Sequence, residues 1–268
     1  MKTIFITICR GSIARNILQT DIVKILKQAG IQIVLLTPAH QDEYFLKIFE
    51  RDGVIIEPLV KPELNFLERI FNLIHQGLLY NDTIDFRWRY GLYSPKETTF
   101  FRYLLKKIIF KPLSYFRSLR EVARWLDIKF FPAKLHSELF KKYSPSLIFA
   151  TNISGHGDAG VVKEAKSYKI PTIAMAKSWD NLCKNSFRVK ADKLMVWSEF
   201  MKEQAMEYQN YKSRDIYITG IPQFDFYREE KIIMPRKDFL LFRINQIVTI
   251  CYYLLIMVSI LNLYLLKK

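Results

Sequence analysis

The sequence has few cysteine and acidic residues, and each shortage excludes a class of protein. Its three cysteines, Cys9, Cys183 and Cys251, are odd in number and lack metal-ligand spacing, which argues against a disulfide scaffold or a zinc site. Only 26 Asp and Glu stand against 41 Lys and Arg, so the formal net charge is +15. This excess predicts an anionic partner: nucleic acid, a membrane surface or a phosphorylated substrate.

The chain also lacks the features of a disordered or secreted protein. Half of its residues are hydrophobic, enough for a sizeable buried core. The first apolar run, residues 4–9, is shorter than the roughly 7–15 residues of a signal-peptide core, and Arg10 and Gly11 interrupt it. We therefore interpret this run as the first strand and expect the body of the protein to be cytosolic.

Short apolar runs alternate with helical patterns, which indicates a parallel sheet. The predicted strands cover residues 3–8, 31–36, 54–59, 145–150, 172–176, 193–197 and 215–219. The first three, with predicted helices at 13–29 and 41–51 between them, form the βαβαβ half-unit of a Rossmann-like domain. The predicted fold class is α/β, with a Rossmann-like parallel sheet, flanking helices and an apolar C-terminal helix.

Polar residues follow the carboxyl ends of these strands, where parallel sheets bind ligands. After the first strand, Gly11 begins a helix whose free amides suit an anion, although a glycine that merely eases the turn is the alternative. After the fourth, His156 stands near Asp158. An imidazole there suits a general base, because its pKa lies near working pH, or it caps the turn by hydrogen bonding.

Four polar or aromatic residues follow the fifth predicted strand within a short segment: Lys177, Trp179, Asp180 and Asn181. An aromatic face, a carboxylate and an amide together favour a sugar site. The alternative is a turn in which Asp180 or Asn181 caps a helix and Trp179 simply packs.

Residues 62–143 are predicted to be helical and strongly basic. Between 102 and 134, nine Lys and Arg stand against Glu121 and Asp127, and one apolar stripe recurs at steps of three and four. Either this stripe packs on the core with a solvated basic face, or the segment is an in-plane membrane helix. No nucleic-acid-binding motif accompanies the charge, so we expect no nucleic-acid partner. The stripe consists of Ile109, Leu113, Phe116, Leu119, Ala123 and Leu126.

The composition changes after Asp238, because no acidic residue follows it. Residues 244–266 carry no charge, and as a helix they would span about 35 Å at 1.5 Å per residue, enough for a bilayer core of about 30 Å. Two interpretations stay open. The segment is a membrane anchor, or it is an out-of-frame product that replaces a lost domain.

Three segments carry a family resemblance that covers roughly residues 1–240: Arg10-Gly11-Ser12-Ile13-Ala14-Arg15-Asn16, Lys177-Ser178-Trp179-Asp180-Asn181-Leu182 and Gly220-Ile221-Pro222-Gln223-Phe224-Asp225. With them the chain resembles the N-terminal half of bacterial GT-B-type glycosyltransferases of surface and capsular polysaccharide synthesis. Those transferases are related to the CDP-glycerol glycerophosphotransferase-like proteins and, more distantly, to the sugar 2-epimerase-like proteins.

The resemblance implies two Rossmann-like domains that face each other across a cleft, with acceptor and catalytic base on the N-terminal one. The implied organisation is an acceptor-side domain at 1–235 with a basic helical insertion at about 62–143, a linker at 236–243 and the apolar segment 244–266. The donor-binding domain is missing from this sequence. The implied function is therefore a glycosyltransferase-like protein truncated before that domain.

The resemblance places nine residues at the cleft, and the polar end of the fourth predicted strand adds Asn152. His156, Asp158 and Asp180 are the candidates for catalysis. The candidate substrate-binding residues are Gly11, Ser12, Arg15, Asn152, Trp179, Asn181 and Glu199.

The partners expected from these inferences are a nucleotide sugar or nucleotide-polyol donor and a lipid-linked or glycan acceptor. We expect no metal and no cofactor beyond the nucleotide-activated donor, and we expect the protein at the cytoplasmic face of the cell membrane. Two alternatives remain. The chain is a non-catalytic, membrane-tethered module that binds a separate donor-domain chain or a lipid-linked glycan, or it is an inactive remnant.

Overall fold

The computed structural model describes residues 2–50, 53–91, 99–228 and 235–241. The chain divides into a compact unit of residues 1–223 and a second unit of residues 224–268. In the second unit the described residues include a short helix at 236–241. The predicted apolar helix at 244–266 lies outside the described residues. Within the described ranges, no helix combines the length and apolarity needed to cross a membrane.

Seven strands form one parallel sheet in the first unit, which confirms the predicted α/β class. The spatial order is β3-β2-β1-β4-β5-β6-β7. This order, 3-2-1 followed by 4-5-6, is that of a doubly wound Rossmann-type sheet, and it reverses direction between β1 and β4. The strands are β1 (Thr3–Thr7), β2 (Gln32–Thr37), β3 (Ile55–Pro58), β4 (Leu147–Ala150), β5 (Thr172–Met175), β6 (Lys193–Val196) and β7 (Ile216–Ile218).

Both faces of the central strands β1, β2 and β4 are buried, which explains why these strands are apolar without alternation. Ile4 and Ile6 of β1 pack in one cluster with Ile17, while Phe5 between them packs on the other face against Phe140, with ring centroids 5.3 Å apart. The covering helices are α1 (Gly11–Leu18), α2 (Asp21–Gln28), α3 (Glu43–Phe49), α4 (Phe66–Gly77), α5 (Asp82–Tyr90), α6 (Phe100–Ser114), α7 (Arg117–Phe130), α8 (Ser137–Tyr143), α9 (His156–Ser167), α10 (Asn181–Lys184) and α11 (Glu199–Gln209).

The single helix predicted at 13–29 is wrong, because the structure divides it into α1 and α2. Thr20 lies in extended conformation between them, and its hydroxyl accepts a hydrogen bond from the Ile22 amide at 3.5 Å. Threonine in this position, followed by Asp21 in the first turn, is a favourable helix start.

Of the two interpretations of the apolar stripe across α6 and α7, the one in which it packs on the core is wrong. Of its six residues only Ala123 is fully buried, whereas Ile109, Leu113 and Phe116 are exposed. The buried side of α7 carries Arg124 instead, together with other charged residues. The Arg124 side chain is buried because backbone carbonyl groups in this part of the interior need hydrogen-bond donors.

Arg124 connects three segments of the fold. Its guanidinium donates to the Phe187 carbonyl at 2.9 Å and to the Gln209 carbonyl at 3.1 Å, and it forms an ion pair with Glu121 at 2.6 Å. Gln209 in turn donates to the Leu182 carbonyl at 2.7 Å. The segment after α10 and the end of α11 are therefore fixed to α7 through one buried side chain.

We expect Arg124→Ala to lower the free energy of unfolding by about 3 kcal/mol, because it leaves buried carbonyl groups and the Gln209 side chain without their donor. Urea denaturation measures this difference. Arg117→Ala, which removes an exposed arginine of the same helix, is the matched control and should change stability by less than about 0.5 kcal/mol. Equal effects of the two substitutions would contradict this role for Arg124.

Candidate functional site

A cleft of about 670 Å³ opens at the carboxyl ends of the strands, beside the point where the strand order reverses. In doubly wound sheets this is where ligands bind. We call it the basic cleft. Its lining comes from the segments after β1, β3, β4 and β5 and from α5: Cys9, Arg10, Lys61, Arg87, Asn152, Ser154, Gly155, His156, Gly157, Asp158, Lys177, Asn181, Lys184 and Asn185.

Positive charge dominates the basic cleft. Five Lys and Arg line it against the single carboxylate of Asp158. One of the five, Lys184, is paired with Asp180 at 2.5 Å, and another, Arg87, donates to the Lys184 carbonyl at 2.5 Å. The remaining excess attracts anions, and the N-terminus of α9, which opens onto the same cleft without a side-chain cap, adds free amide groups.

Asp158 lies at the bottom of this cleft, in the first turn of α9, and is 0% exposed. Its Oδ1 accepts hydrogen bonds from the Thr7 hydroxyl and from the Asn152 amide, the latter at 3.1 Å. The Thr7 hydroxyl oxygen also accepts from the Thr151 amide at 3.1 Å. One carboxylate oxygen therefore joins the ends of β1 and β4, the two strands between which the sheet reverses.

The second oxygen of Asp158, Oδ2, has no hydrogen-bond partner in the part of the chain that the structure describes. Burial raises the pKa of Asp158 to about 6, while the hydrogen bonds from the Thr7 hydroxyl and the Asn152 amide act in the opposite direction. At about 1.4 kcal/mol per pKa unit, the ionised carboxylate destabilises the fold by about 3 kcal/mol. An asparagine would keep both bonds at Oδ1 and remove the charge, although its side-chain NH2 group would then lack an acceptor.

His156 is the first residue of α9, and it lines both the basic cleft and a second cavity beside it. Although the residue is partly open to solvent, desolvation of the imidazole lowers its pKa, and the positive charges of Arg188 and Lys163 lower it further. The imidazole is therefore neutral at pH 7 and able to accept a proton.

Two other predicted residues also line the basic cleft. Asn152 donates its side-chain amide to the Cys9 sulfur at 3.5 Å and accepts a hydrogen bond from the Ser154 hydroxyl at 2.8 Å. The buried Asn181 accepts from the Ser178 amide at 2.9 Å, which fixes the loop after β5.

Four predicted residues are not among the lining residues. Asp180 borders the cleft through its pair with Lys184; burial acts to raise its pKa, but the hydrogen bond and charge of Lys184 outweigh it and hold that pKa low. Trp179 is 66% exposed, and Glu199 is exposed and pairs with Lys202 at 3.2 Å. Gly11 begins α1 and is exposed.

The two remaining predicted residues, Ser12 and Arg15, lie in α1, but their side chains are outside what the structure describes. Lys61 and Arg87, by contrast, line the cleft and are missed by the sequence analysis. The position of Lys61 just after the third predicted strand was a usable signal. Nothing in the sequence of the helical insertion indicates that Arg87 returns to this edge of the sheet.

Among the described residues, no group of three or more His, Cys, Asp or Glu side chains could hold a metal ion.

Comparison with known proteins gives little beyond this geometry. No protein-family model matches the chain, and no curated protein matches it. Among solved structures, the chain is similar to MurG of Acinetobacter baumannii, with 11% sequence identity and a TM-score of 0.41 over 82% of this chain. The matched part is 45% of that structure, so the chain spans less than half its length. The fold assignment rests on the strand order.

We expect Asp158→Asn to stabilise the protein at pH 8 and to change its pH dependence. The pKa of the carboxyl is raised in the folded state, so its contribution to stability is greatest at low pH and is lost as the pH rises through about 6. The stability difference between the variant and the wild type should grow by roughly 1.5 kcal/mol from pH 5 to pH 8 in urea denaturation. A difference that does not vary with pH would mean that Asp158 has an ordinary pKa.

Proposed function

We propose that this chain is the acceptor-side half of a GT-B-like transferase that adds a sugar or a polyol phosphate to a surface glycan at the cytoplasmic face of the membrane. One observation carries the proposal. A strongly basic cleft at the reversal point of the sheet is lined both by the neutral imidazole of His156 and by Asp158, whose Oδ2 has no hydrogen-bond partner among the described residues. The three segments that resemble GT-B transferases add support, since two of them follow strands that end at this cleft.

The cationic side chains suit phosphate groups. Arg10, Lys61 and Lys177 come from three different strand ends and converge on one cleft. Together with the uncapped amides of α9, they would hold a phosphate or pyrophosphate and stabilise negative charge that develops on a departing phosphate. The donor in this scheme is a nucleotide sugar or nucleotide-polyol, whose nucleotide would be held mainly by a second domain.

His156 and Asp158 suit the proton transfer. In the proposed step the acceptor hydroxyl oxygen forms a bond to the transferred group, and its proton passes to His156 or to Asp158 Oδ2. The bond from the transferred group to the nucleotide phosphate breaks, and its electron pair leaves with the phosphate oxygen. A base with a pKa near or below the working pH is available in its proton-accepting form.

The outer face of α6 supports a position at the membrane. Its apolar side chains point to solvent: Phe101 is 72% exposed and Ile108 is 63% exposed. Its lysines point toward α5 instead. Lys107 pairs with Asp85 at 3.0 Å, and the Lys106 ammonium lies 6.0 Å from the ring centroid of Trp88. A surface helix usually buries its apolar side chains and exposes its charged ones, and α6 does the reverse.

The occupant best suited to this face is an anionic bilayer. Residues 99–120 contain six Lys and Arg and no acidic residue. Arg120 is buried and Lys107 pairs with Asp85, which leaves four cations for anionic headgroups. The side of α6 that faces α5, opposite the apolar face, lies near the basic cleft. Desolvation lowers the pKa of Lys106, and so do the charges of Arg102 and of Arg87, a residue of the cleft lining. We propose that a lipid-linked acceptor presents its phosphate to the cleft from this part of the molecule.

A second candidate function is a non-catalytic module that binds a separate donor-domain chain. Two large aromatic side chains at the carboxyl edge favour it. Trp179 follows β5 and is 66% exposed, and Phe200 follows the neighbouring β6 and is 64% exposed. Exposed aromatic residues that stand next to a ligand cleft are typical of a surface covered by another domain.

The basic cleft is tested by calorimetric titration with inorganic pyrophosphate. We expect Lys61→Gln/Lys177→Gln to weaken binding about tenfold or more, because two cations that face the anion are lost, and the loss should shrink at high salt. Lys24→Gln/Lys27→Gln in α2 removes the same charge away from the cleft and should bind like the wild type. Equal affinities of the two double variants would argue against the cleft as the anion site.

The two candidate functions separate by turnover. Release of nucleotide from UDP-glucose or CDP-glycerol by the isolated chain, abolished in His156→Ala, supports the transferase. A stable complex with a separately encoded donor-domain chain, without turnover, supports the binding module.

Membrane docking is tested by sedimentation with vesicles. We expect binding to phosphatidylglycerol–phosphatidylcholine vesicles and little binding to phosphatidylcholine alone. Ile108→Asp should weaken it about tenfold, because burying an isoleucine contributes roughly 1.5–3 kcal/mol. Ile25→Asp in α2, where the isoleucine is 59% exposed, is the matched control. If both variants bind vesicles as the wild type does, α6 is not the docking face.

A further inference from the structure

A second cavity of about 330 Å³ lies beside the basic cleft, and His156 lines both. We call it the side cavity. It is within the size range of small-molecule sites and is large enough for one sugar ring. Its walls are mostly apolar, and its charged residues lie on its floor and rim. The lining consists of Pro62, Glu63, Glu68, Phe131, Pro132, Ala133, Lys134, Leu135, His156, Ala159, Gly160, Lys163 and Arg188.

The floor of the side cavity is a fixed array of hydrogen-bond donors. The side chains of Lys163 and Arg188 are only 6% and 7% exposed, and both are held by Asp127, which is 0% exposed. Lys163 donates to Asp127 Oδ1 at 2.8 Å, and Arg188 donates to its two oxygens at 2.6 and 2.8 Å. An ammonium has three N–H donors and a guanidinium has five, and Asp127 accepts only three of these eight hydrogen bonds. The other N–H groups remain to bind a ligand.

The charge around the side cavity is balanced. Lys134, Lys163 and Arg188 carry three positive charges, against Glu63, Glu68 and the underlying Asp127. This balance distinguishes the side cavity from the basic cleft and disfavours an anionic occupant. Donors on the floor, carboxylates at the rim and the ring of Phe131 in the wall are together suited to a neutral ligand with many hydroxyl groups.

We propose that the side cavity binds an uncharged monosaccharide unit of the acceptor, while the phosphate of the same substrate occupies the basic cleft. This inference rests on the proposed function and specifies its acceptor. His156 stands at the junction of the two cavities, where it would receive the proton of a hydroxyl group on the bound ring. Lys163 and Arg188 then serve two purposes, because they hydrogen-bond the sugar and also keep the imidazole neutral.

Gly160 offers a way to close the side cavity alone. A Cβ added there would have its nearest contact with Pro62 at 3.9 Å, an ordinary van der Waals distance. Gly160→Ala is therefore accommodated, and alanine favours a helix by about 1 kcal/mol relative to glycine. The longer side chain of Gly160→Leu would extend into the cavity and fill much of it, without changing any charge of the basic cleft.

The test is saturation-transfer NMR with glucose, galactose and N-acetylglucosamine as probes. We expect at least one of them to bind the wild type and Gly160→Ala, and binding to Gly160→Leu to fall at least tenfold. Absence of binding to the wild type, or equal binding to Gly160→Leu, would overturn the proposal.

A pyrophosphate titration of the same variants separates the two proposals. Unchanged pyrophosphate affinity in Gly160→Leu, with sugar binding lost, supports both sites. Sugar binding to the wild type without any pyrophosphate binding would reject the basic cleft while leaving the side cavity as a sugar site. Pyrophosphate binding that competes with the sugar probe, with both lost in Gly160→Leu, would reject a separate neutral subsite.

Discussion

The carboxylate of Asp158 is the interaction on which the candidate site depends. One of its oxygens accepts hydrogen bonds from the end of β1 and from the end of β4, so it fixes the two strands between which the sheet reverses. The other oxygen is buried and unpaired among the described residues. The charge lies in the first turn of α9, where the helix dipole favours it. We propose that a ligand in the cleft offsets the remaining cost by donating a hydrogen bond to this oxygen.

The positive charge of the chain is divided among three separate sets of residues in this structure. Arg120 and Arg124 are buried and hydrogen-bond backbone carbonyl groups, so they stabilise the fold and attract no partner. A second set lines the basic cleft at the strand ends. A third set lies along α6, beneath an apolar face that points outward. The net charge therefore indicates an anionic partner only through the second and third sets.

The parts of the structure that could be predicted from sequence follow from burial of the sheet. The central strands are covered on both faces, so they appear as short apolar runs, whereas the edge strand β7 leaves Tyr217 and Ile218 exposed. Asn152, His156, Asp158 and Asn181 follow strands that end at one edge of the parallel sheet. The face that α6 and α7 turn toward the core could not be predicted. Periodicity locates an apolar stripe but does not tell whether the stripe faces inward. Here Arg124 is buried instead, because the carbonyl groups of Phe187 and Gln209 need hydrogen-bond donors.

The most direct measurement of the central claim is the titration of the Asp158 carboxyl group, followed by its ¹³C chemical shift with and without pyrophosphate. We expect a pKa of about 6 in the free protein. Bound pyrophosphate should raise this pKa further, because a nearby anion disfavours the ionised carboxylate. A pKa near 4 that pyrophosphate leaves unchanged would contradict both the desolvated carboxylate and its position in the anion-binding cleft.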